Sequence, residues 1–184
     1  MKVTYSDLKN KRVFISGGGS GIGATIVEYF CEQKSEVYFI DIDVRSSNKL
    51  IKNIKKKGFK IPKFIECNIL DIKKLQNIIK DIISKKGAIH CLINSAANDD
   101  RHTTEQVDEK YWENRMGINL KHYFFAAQAV VKGMKKIKSG SIVNLSSVSW
   151  MLGEGDKVVY ETAKSAVVGL TRSFAQEFGK YNIR

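Results

Sequence analysis

A tyrosine and a lysine four positions apart, Tyr160 and Lys164, fall on one face of any helix that holds them both. An ordinary tyrosine titrates near about 10, too high for a base at neutral pH, but a neighbouring ammonium favours the phenolate. Such a pair can therefore give and take protons at a reacting oxygen. Spacing of this kind also occurs on solvated helix faces, and the deciding neighbour is Ser147. It stands thirteen residues before Tyr160, just after the apolar run 142–145, and the carboxyl ends of buried parallel strands are where open α/β sheets bind ligands.

A second constellation lies near the start. The stretch 16–23 reads SGGGSGIG between an apolar run and a helical pattern, so backbone N–H groups and a helix N-terminus converge there on an anion. The turn residues Gly17, Ser20, Gly21, Ile22 and Gly23 are candidates for holding a diphosphate, because glycine lets the backbone approach it closely. The spacing is GxxxGxG rather than GxGxxG, and Ala24 stands where a P-loop needs lysine, which argues against a nucleotide kinase. Asp41 follows twenty residues after Gly21 at the end of the next apolar run, where a carboxylate accepts hydrogen bonds from an adenosine ribose. A 2′-phosphate there would meet like charge, so NAD is favoured over NADP, with Arg45 close enough to argue the other way.

These side chains need a scaffold, and apolar runs alternating with amphipathic stretches supply one. Strands are expected at 13–16, 37–40, 64–67, 89–93 and 142–145, and helices at 22–33, 46–57, 71–86, 107–138 (broken near Met116 and Gly117) and 157–179. Strands apolar on both faces and separated by helices imply an α/β fold, a Rossmann-like doubly wound parallel sheet with helices on both faces. Residues 1–184 are expected to form one domain.

Composition bounds the function classes. The chain is 43% hydrophobic and 27% charged with one proline, a globular profile rather than a disordered one. No run approaches the roughly 18 apolar residues of a membrane span, so no membrane association and a cytoplasmic location are expected. The net charge of +12 comes from 25 lysines against 6 arginines. The lysines gather at 55–57, 85–86 and 135–138, where they complement helix C-termini, so no nucleic acid partner is expected. Cys31, Cys67 and Cys91 are far apart and read as buried thiols, and no metal site is expected.

Taken in order, these motifs resemble the short-chain dehydrogenase/reductase family from about Leu8 to Arg184. SGGGSGIG at 16–23 is close to the family's TGxxxGIG, NSAA at 94–97 is close to its NNAG, and Ser147, Tyr160 and Lys164 match its catalytic spacing. The resemblance implies that the serine holds the reacting oxygen, that the tyrosine transfers the proton, and that the lysine holds the nicotinamide ribose. It adds Asn119 in GINL as support for a proton relay and Asn94 as a brace of the central sheet near the cofactor. It also assigns cofactor contacts to Gly17, Ser20, Gly21, Ile22, Gly23, Asp41, Asn68, Ile69, Asn94 and Ala96, besides Tyr160 and Lys164. Departures from the pattern are Ser16 for threonine, Ser95 and Ala97 within NNAG, and Asn68 where many relatives carry aspartate. Asn68 keeps an acceptor in its amide oxygen.

A narrower likeness rests on 98–102 (NDDRH), 122–130 (HYFFAAQAV) and 146–150 (SSVSW), which resemble sugar 1-dehydrogenases acting on D-xylose, galactose or fucose. It implies oxidation of the anomeric hydroxyl of an aldose to a lactone, with Asn98, Ser147 and Trp150, and His102 beside them, meeting the sugar. The alternatives are a reductase of 3-oxoacyl thioesters or another carbonyl substrate, and a catalytically silent nucleotide-binding module. Family members continue beyond the point matching Arg184 through a sixth strand, a substrate lid and a seventh strand. This chain is accordingly expected to be a fragment or a natural truncation, and a complete chain to be a homodimer or homotetramer.

Overall fold

The computed structural model describes residues 3–184. Five parallel strands form one sheet in the order β3-β2-β1-β4-β5, with β1 Arg12–Ser16, β2 Glu36–Asp41, β3 Lys63–Glu66, β4 Cys91–Asn94 and β5 Ser141–Asn144. The order reverses between β1 and β4, so the carboxyl ends of those two strands open a crevice at the switch point. The helices are α1 Gly21–Glu32, α2 Val44–Lys56, α3 Ile72–Lys86, α4 Glu109–Met116, α5 His122–Ile137, α6 Ser149–Leu152 and α7 Val158–Phe178. The expected helix at 107–138 is divided, as anticipated near Met116 and Gly117, by a π-helical turn at Gly117–Lys121.

Strand alternation sorts the core into two layers. Val13, Ile15, Val37 and Phe39 face α1 and α2, where they bury Val27, Cys31 and Ile54. Phe14, Tyr38, Ile40 and Leu92 face the other way onto Leu75, Ile79, Val130, Met134 and Phe174 of α3, α5 and α7. Both faces are therefore covered, which is why the strands read as near-continuous apolar runs.

Helix ends follow the chemistry of their residues. Asp43, Asp71 and Asp108 cap α2, α3 and α4 by accepting the N–H groups of Ser46, Lys74 and Tyr111, while Lys55, Lys56, Lys85, Lys86, Lys135 and Lys136 sit in last turns. Four helices, α1, α5, α6 and α7, have no side-chain cap at their start, and two of these, α1 and α7, bear on the site. Ser20 makes no side-chain bond at the start of α1, and neither does Lys157 at the start of α7. Both starts border the crevice. Cys31 and Cys67 are buried as expected, but Cys91 is only partly buried, at the start of β4 between Val13 of β1 and Ser141 of β5. Among the described residues no cluster of potential ligands could hold a metal ion, and no helix is long and apolar enough to cross a membrane.

Candidate active site

The crevice is a cleft of about 670 Å³ running from the glycine turn to the start of α7. At one end it is lined by Gly17, Ser20, Gly21, Ile22, Gly23, Asp41, Asp43, Asn68 and Ile69, and at the other by Ala96, Asn98, Ser146, Tyr160 and Lys164.

The first end is made of backbone. Gly17 has φ +70°, and a Cβ there would stand 2.6 Å from the Ala96 backbone; one on Gly23 would stand 1.9 Å from the Gly17 carbonyl oxygen. Glycine is thus required where the turn folds against β4 and where α1 packs under the turn. Gly21, at φ +54°, has nothing within 4 Å of where its Cβ would be and faces open space. Close backbone approach, uncapped α1 amides and open space together form an anion cradle that fits a dinucleotide diphosphate. Asp41 closes this end: one carboxylate oxygen accepts the Gly19 N–H at 2.8 Å and the other the Asp43 N–H at 2.9 Å. Asn68 turns its amide oxygen to the Leu70 N–H at 3.0 Å, which leaves that oxygen one lone pair for a ligand. Ser16 braces the cradle from below, its Oγ accepting the Ser95 and Ala96 N–H groups at 3.2 and 3.4 Å and lying 3.3 Å from Nε2 of buried His122. Burial and the nearby Lys164 cation hold that imidazole down to about 3, so it is neutral.

The second end is made of side chains. Lys164 is 1% exposed, and its Nζ donates to the Tyr123 hydroxyl at 2.9 Å and to the Leu145 carbonyl at 2.7 Å. An ammonium has three N–H groups, so one remains for a ligand in the cleft. Tyr123 is fully buried and donates in turn to Leu145 at 3.1 Å. Burial lowers Lys164 to about 8 and, with Tyr160 nearby, pushes the Tyr123 phenol well above its ordinary value. Lys164 Nζ lies 5.5 Å from the Tyr160 ring centre, and no protein hydrogen bond among the described residues engages the Tyr160 hydroxyl.

Not every expected site residue lines the cleft. Asn119 is buried and clamps Asn98, accepting its N–H and donating to its carbonyl, both at 2.9 Å. Asn94 donates to Asn144 at 2.8 Å, and Asn144 continues to Thr171 at 3.0 Å, so Asn94 ties β4 to β5 and α7 from behind the cleft. Ser147 follows β5 and its Oγ lies 2.8 Å from Ser149 Oγ, outside the cleft lining. Trp150 sits on α6, 36% exposed and outside that lining, amid exposed Val148, Met151 and Leu152. His102 is neither a surface residue nor free for a sugar: it is buried, with both ring nitrogens bonded within the protein. Tyr123, the Leu145 carbonyl and Asp43 escape sequence reasoning. Tyr123 has no signal beyond an aromatic in a helical stretch, which reads as core.

This geometry matches a known architecture. The family model described as short chain dehydrogenase matches residues 11–184. The chain belongs to the short-chain dehydrogenase family. As a family member it is a nicotinamide-dependent oxidoreductase of CH–OH groups. It is 41% identical over 181 residues to the D-xylose 1-dehydrogenase of Caulobacter vibrioides, covering 98% of this chain and 71% of that one. It is 38% identical over 180 residues to the "Probable galactose dehydrogenase GalD" of Rhizobium meliloti, with 98% and 70% covered. The 3-oxoacyl-[acyl-carrier-protein] reductase FabG of Thermotoga maritima is 30% identical over 177 residues, with 96% and 72% covered. Among solved structures, Cj0485 dehydrogenase superposes with TM-score 0.86 at 27% identity, over 96% of this chain and 66% of that one. The gox2181 structure, at 23% identity, shares the fold with TM-score 0.89 over 97% and 71%.

Proposed function

We propose that this short-chain dehydrogenase uses NAD and oxidises the anomeric hydroxyl of an aldose to a lactone. The observation that carries the reading is one continuous cleft in which the glycine cradle and two carboxylates stand at one end and Tyr160 and Lys164 at the other. Asp41 and Asp43 both line the cleft while Arg45, near Asp43, does not, which supports NAD, since a 2′-phosphate would meet two like charges in the lining at that end. The likeness to the xylose and galactose enzymes supports the sugar.

In this reading residues 1–184 form one nucleotide-binding domain. The cradle of Gly17, Ser20, Gly21, Ile22 and Gly23 holds the diphosphate, Asp41 the adenosine ribose, Asn68 and Ile69 the adenine side, and Ala96 and the free N–H of Lys164 the nicotinamide side. A bound nicotinamide supplies a hydride acceptor for C1 of the sugar. Tyr160 takes the hydroxyl proton, with the buried Lys164 ammonium 5.5 Å from its ring centre. Lys164 is fixed for this by Tyr123 and Leu145. Asn98, on the cleft wall, is held by Asn119 to meet sugar hydroxyls. Ser147 serves the reacting oxygen once its bond to Ser149 is exchanged for substrate, and Trp150 offers a ring face at the same rim.

The test is calorimetric titration with NAD and NADP, followed by a screen of pentoses, hexoses, a 3-oxoacyl thioester and a steroid. Tighter NAD binding and turnover of an aldose are expected. Equal or reversed cofactor affinity removes the NAD assignment, and preference for the thioester removes the sugar. Cofactor binding without any turnover supports a silent nucleotide-binding module instead.

A further inference from the structure

His102 takes no part in the chemistry proposed above, yet it is 6% exposed and each of its ring nitrogens has partners. Nε2 accepts the Val159 N–H at 3.3 Å, which requires an unprotonated Nε2. The ring proton is then on Nδ1, which lies 2.9 Å from the Tyr111 hydroxyl and 3.1 Å from the Asp100 carbonyl. The ring packs edge-on against Tyr111 with centres 5.0 Å apart, and the His102 N–H donates to the Asp156 carbonyl at 2.8 Å. Tyr111 is held from its other side by the Arg115 guanidinium, 4.8 Å from the ring centre, and Arg115 pairs with Asp100 at 2.7 Å.

The significance lies in what Val159 begins. It belongs to the first turn of α7, whose N–H groups have no partner within the helix, and the residue at the cap position, Lys157, provides no side-chain bond. The next residue is Tyr160. We propose that His102 is a positioning residue: its neutral imidazole caps α7 across 57 residues of sequence and fixes where Tyr160 stands over the cleft. This rests on the proton-transfer role given to Tyr160 above.

The experiment compares the protein with His102→Leu, which loses the acceptor, and His102→Gln, whose amide oxygen can reach the Nε2 position. Residue-resolved amide exchange at Val159 and the ring resonances of Tyr160 are followed at neutral pH. Expected are exchange at Val159 on the order of tenfold faster in His102→Leu, with Val167 deeper in α7 unchanged, and shifted Tyr160 resonances. In His102→Gln, whose amide oxygen can accept the same N–H, both return to the parent values. On an aldose substrate kcat falls in His102→Leu while the KM for NAD is unchanged. Unaltered Val159 exchange in His102→Leu, or exchange in His102→Gln as fast as in His102→Leu, overturns the proposal. Absence of turnover in every variant, with the exchange and resonance changes present, refutes the dehydrogenase reading and leaves the positioning by His102 supported.

Discussion

The two ends of the cleft are built in different ways. At the nucleotide end, peptide groups and glycines within one short turn do the holding, and the key side chain, Asp41, reaches that turn from the adjoining strand. At the chemical end, Lys164 and Tyr160 depend on Tyr123 from α5 and Leu145 after β5, Asn98 depends on Asn119, and the start of α7 depends on His102. Recognition of a common cofactor needs only a local backbone shape, whereas an acid/base pair has to be assembled from segments far apart in sequence. Function at the second end should therefore be sensitive to changes that leave the first untouched.

The largest expected effect separates the two ends cleanly. Tyr160→Phe lowers kcat by about 10²–10⁴, the usual contribution of one proton-transfer group, with NAD affinity nearly unchanged in calorimetry. Retained turnover would remove Tyr160 from the mechanism. Lys164→Met should cross the boundary, weakening both NAD binding and kcat, because one residue serves both. It also carries a stability signature. Burial lowers Lys164 to about 8 from 10.5, so the buried ammonium destabilises the fold by roughly 3 kcal/mol below pH 8, and that burden fades as pH rises from 8 to 10.5. In denaturant midpoints the parent therefore gains stability relative to Lys164→Met as pH rises across that window; a difference independent of pH contradicts the assignment. The smallest effect belongs to the nucleotide end alone. Asp41→Ala lowers NAD affinity about tenfold and improves NADP relative to NAD, with kcat at saturating cofactor unchanged, as titration and steady-state kinetics would reveal.

The same contrast explains what the sequence could reveal. The strands, the break at Gly117, the glycine turn and the Tyr160/Lys164 pair were legible because each is written in neighbouring residues: period-two or period-3.6 patterning, glycine spacing, a four-residue step. His102 was open to misreading, because a histidine next to Asp99, Asp100 and Arg101 looks solvent-facing, and it is buried by Tyr111 of α4 and the start of α7, neither adjacent in sequence. Tyr123 was invisible for the opposite reason, since burial is what its neighbours already suggested, and the lysine at its hydroxyl comes from 41 residues away. Trp150 was assigned to the sugar by the narrower likeness, and the structure holds it on the short α6, 36% exposed and outside the lining of the cleft.

The chain of bonds from Asn94 through Asn144 to Thr171 has a mechanical meaning. It pins the middle of α7 to the sheet, and Thr171 further bonds back to the Val167 carbonyl at 2.7 Å. The same helix is tied again at Lys164, whose Nζ donates to the Leu145 carbonyl and whose own carbonyl accepts from the Ser146 hydroxyl. Tyr160 lies eleven residues from Thr171, roughly 16 Å of helix, so over that length a tilt of only about 4° would carry its hydroxyl about 1 Å. Displacements of that size can reduce catalysis about 10²-fold. Moorings at Thr171, Lys164 and Val159 thus hold the rod at its middle and near its end against the small tilt that would spoil the alignment of Tyr160.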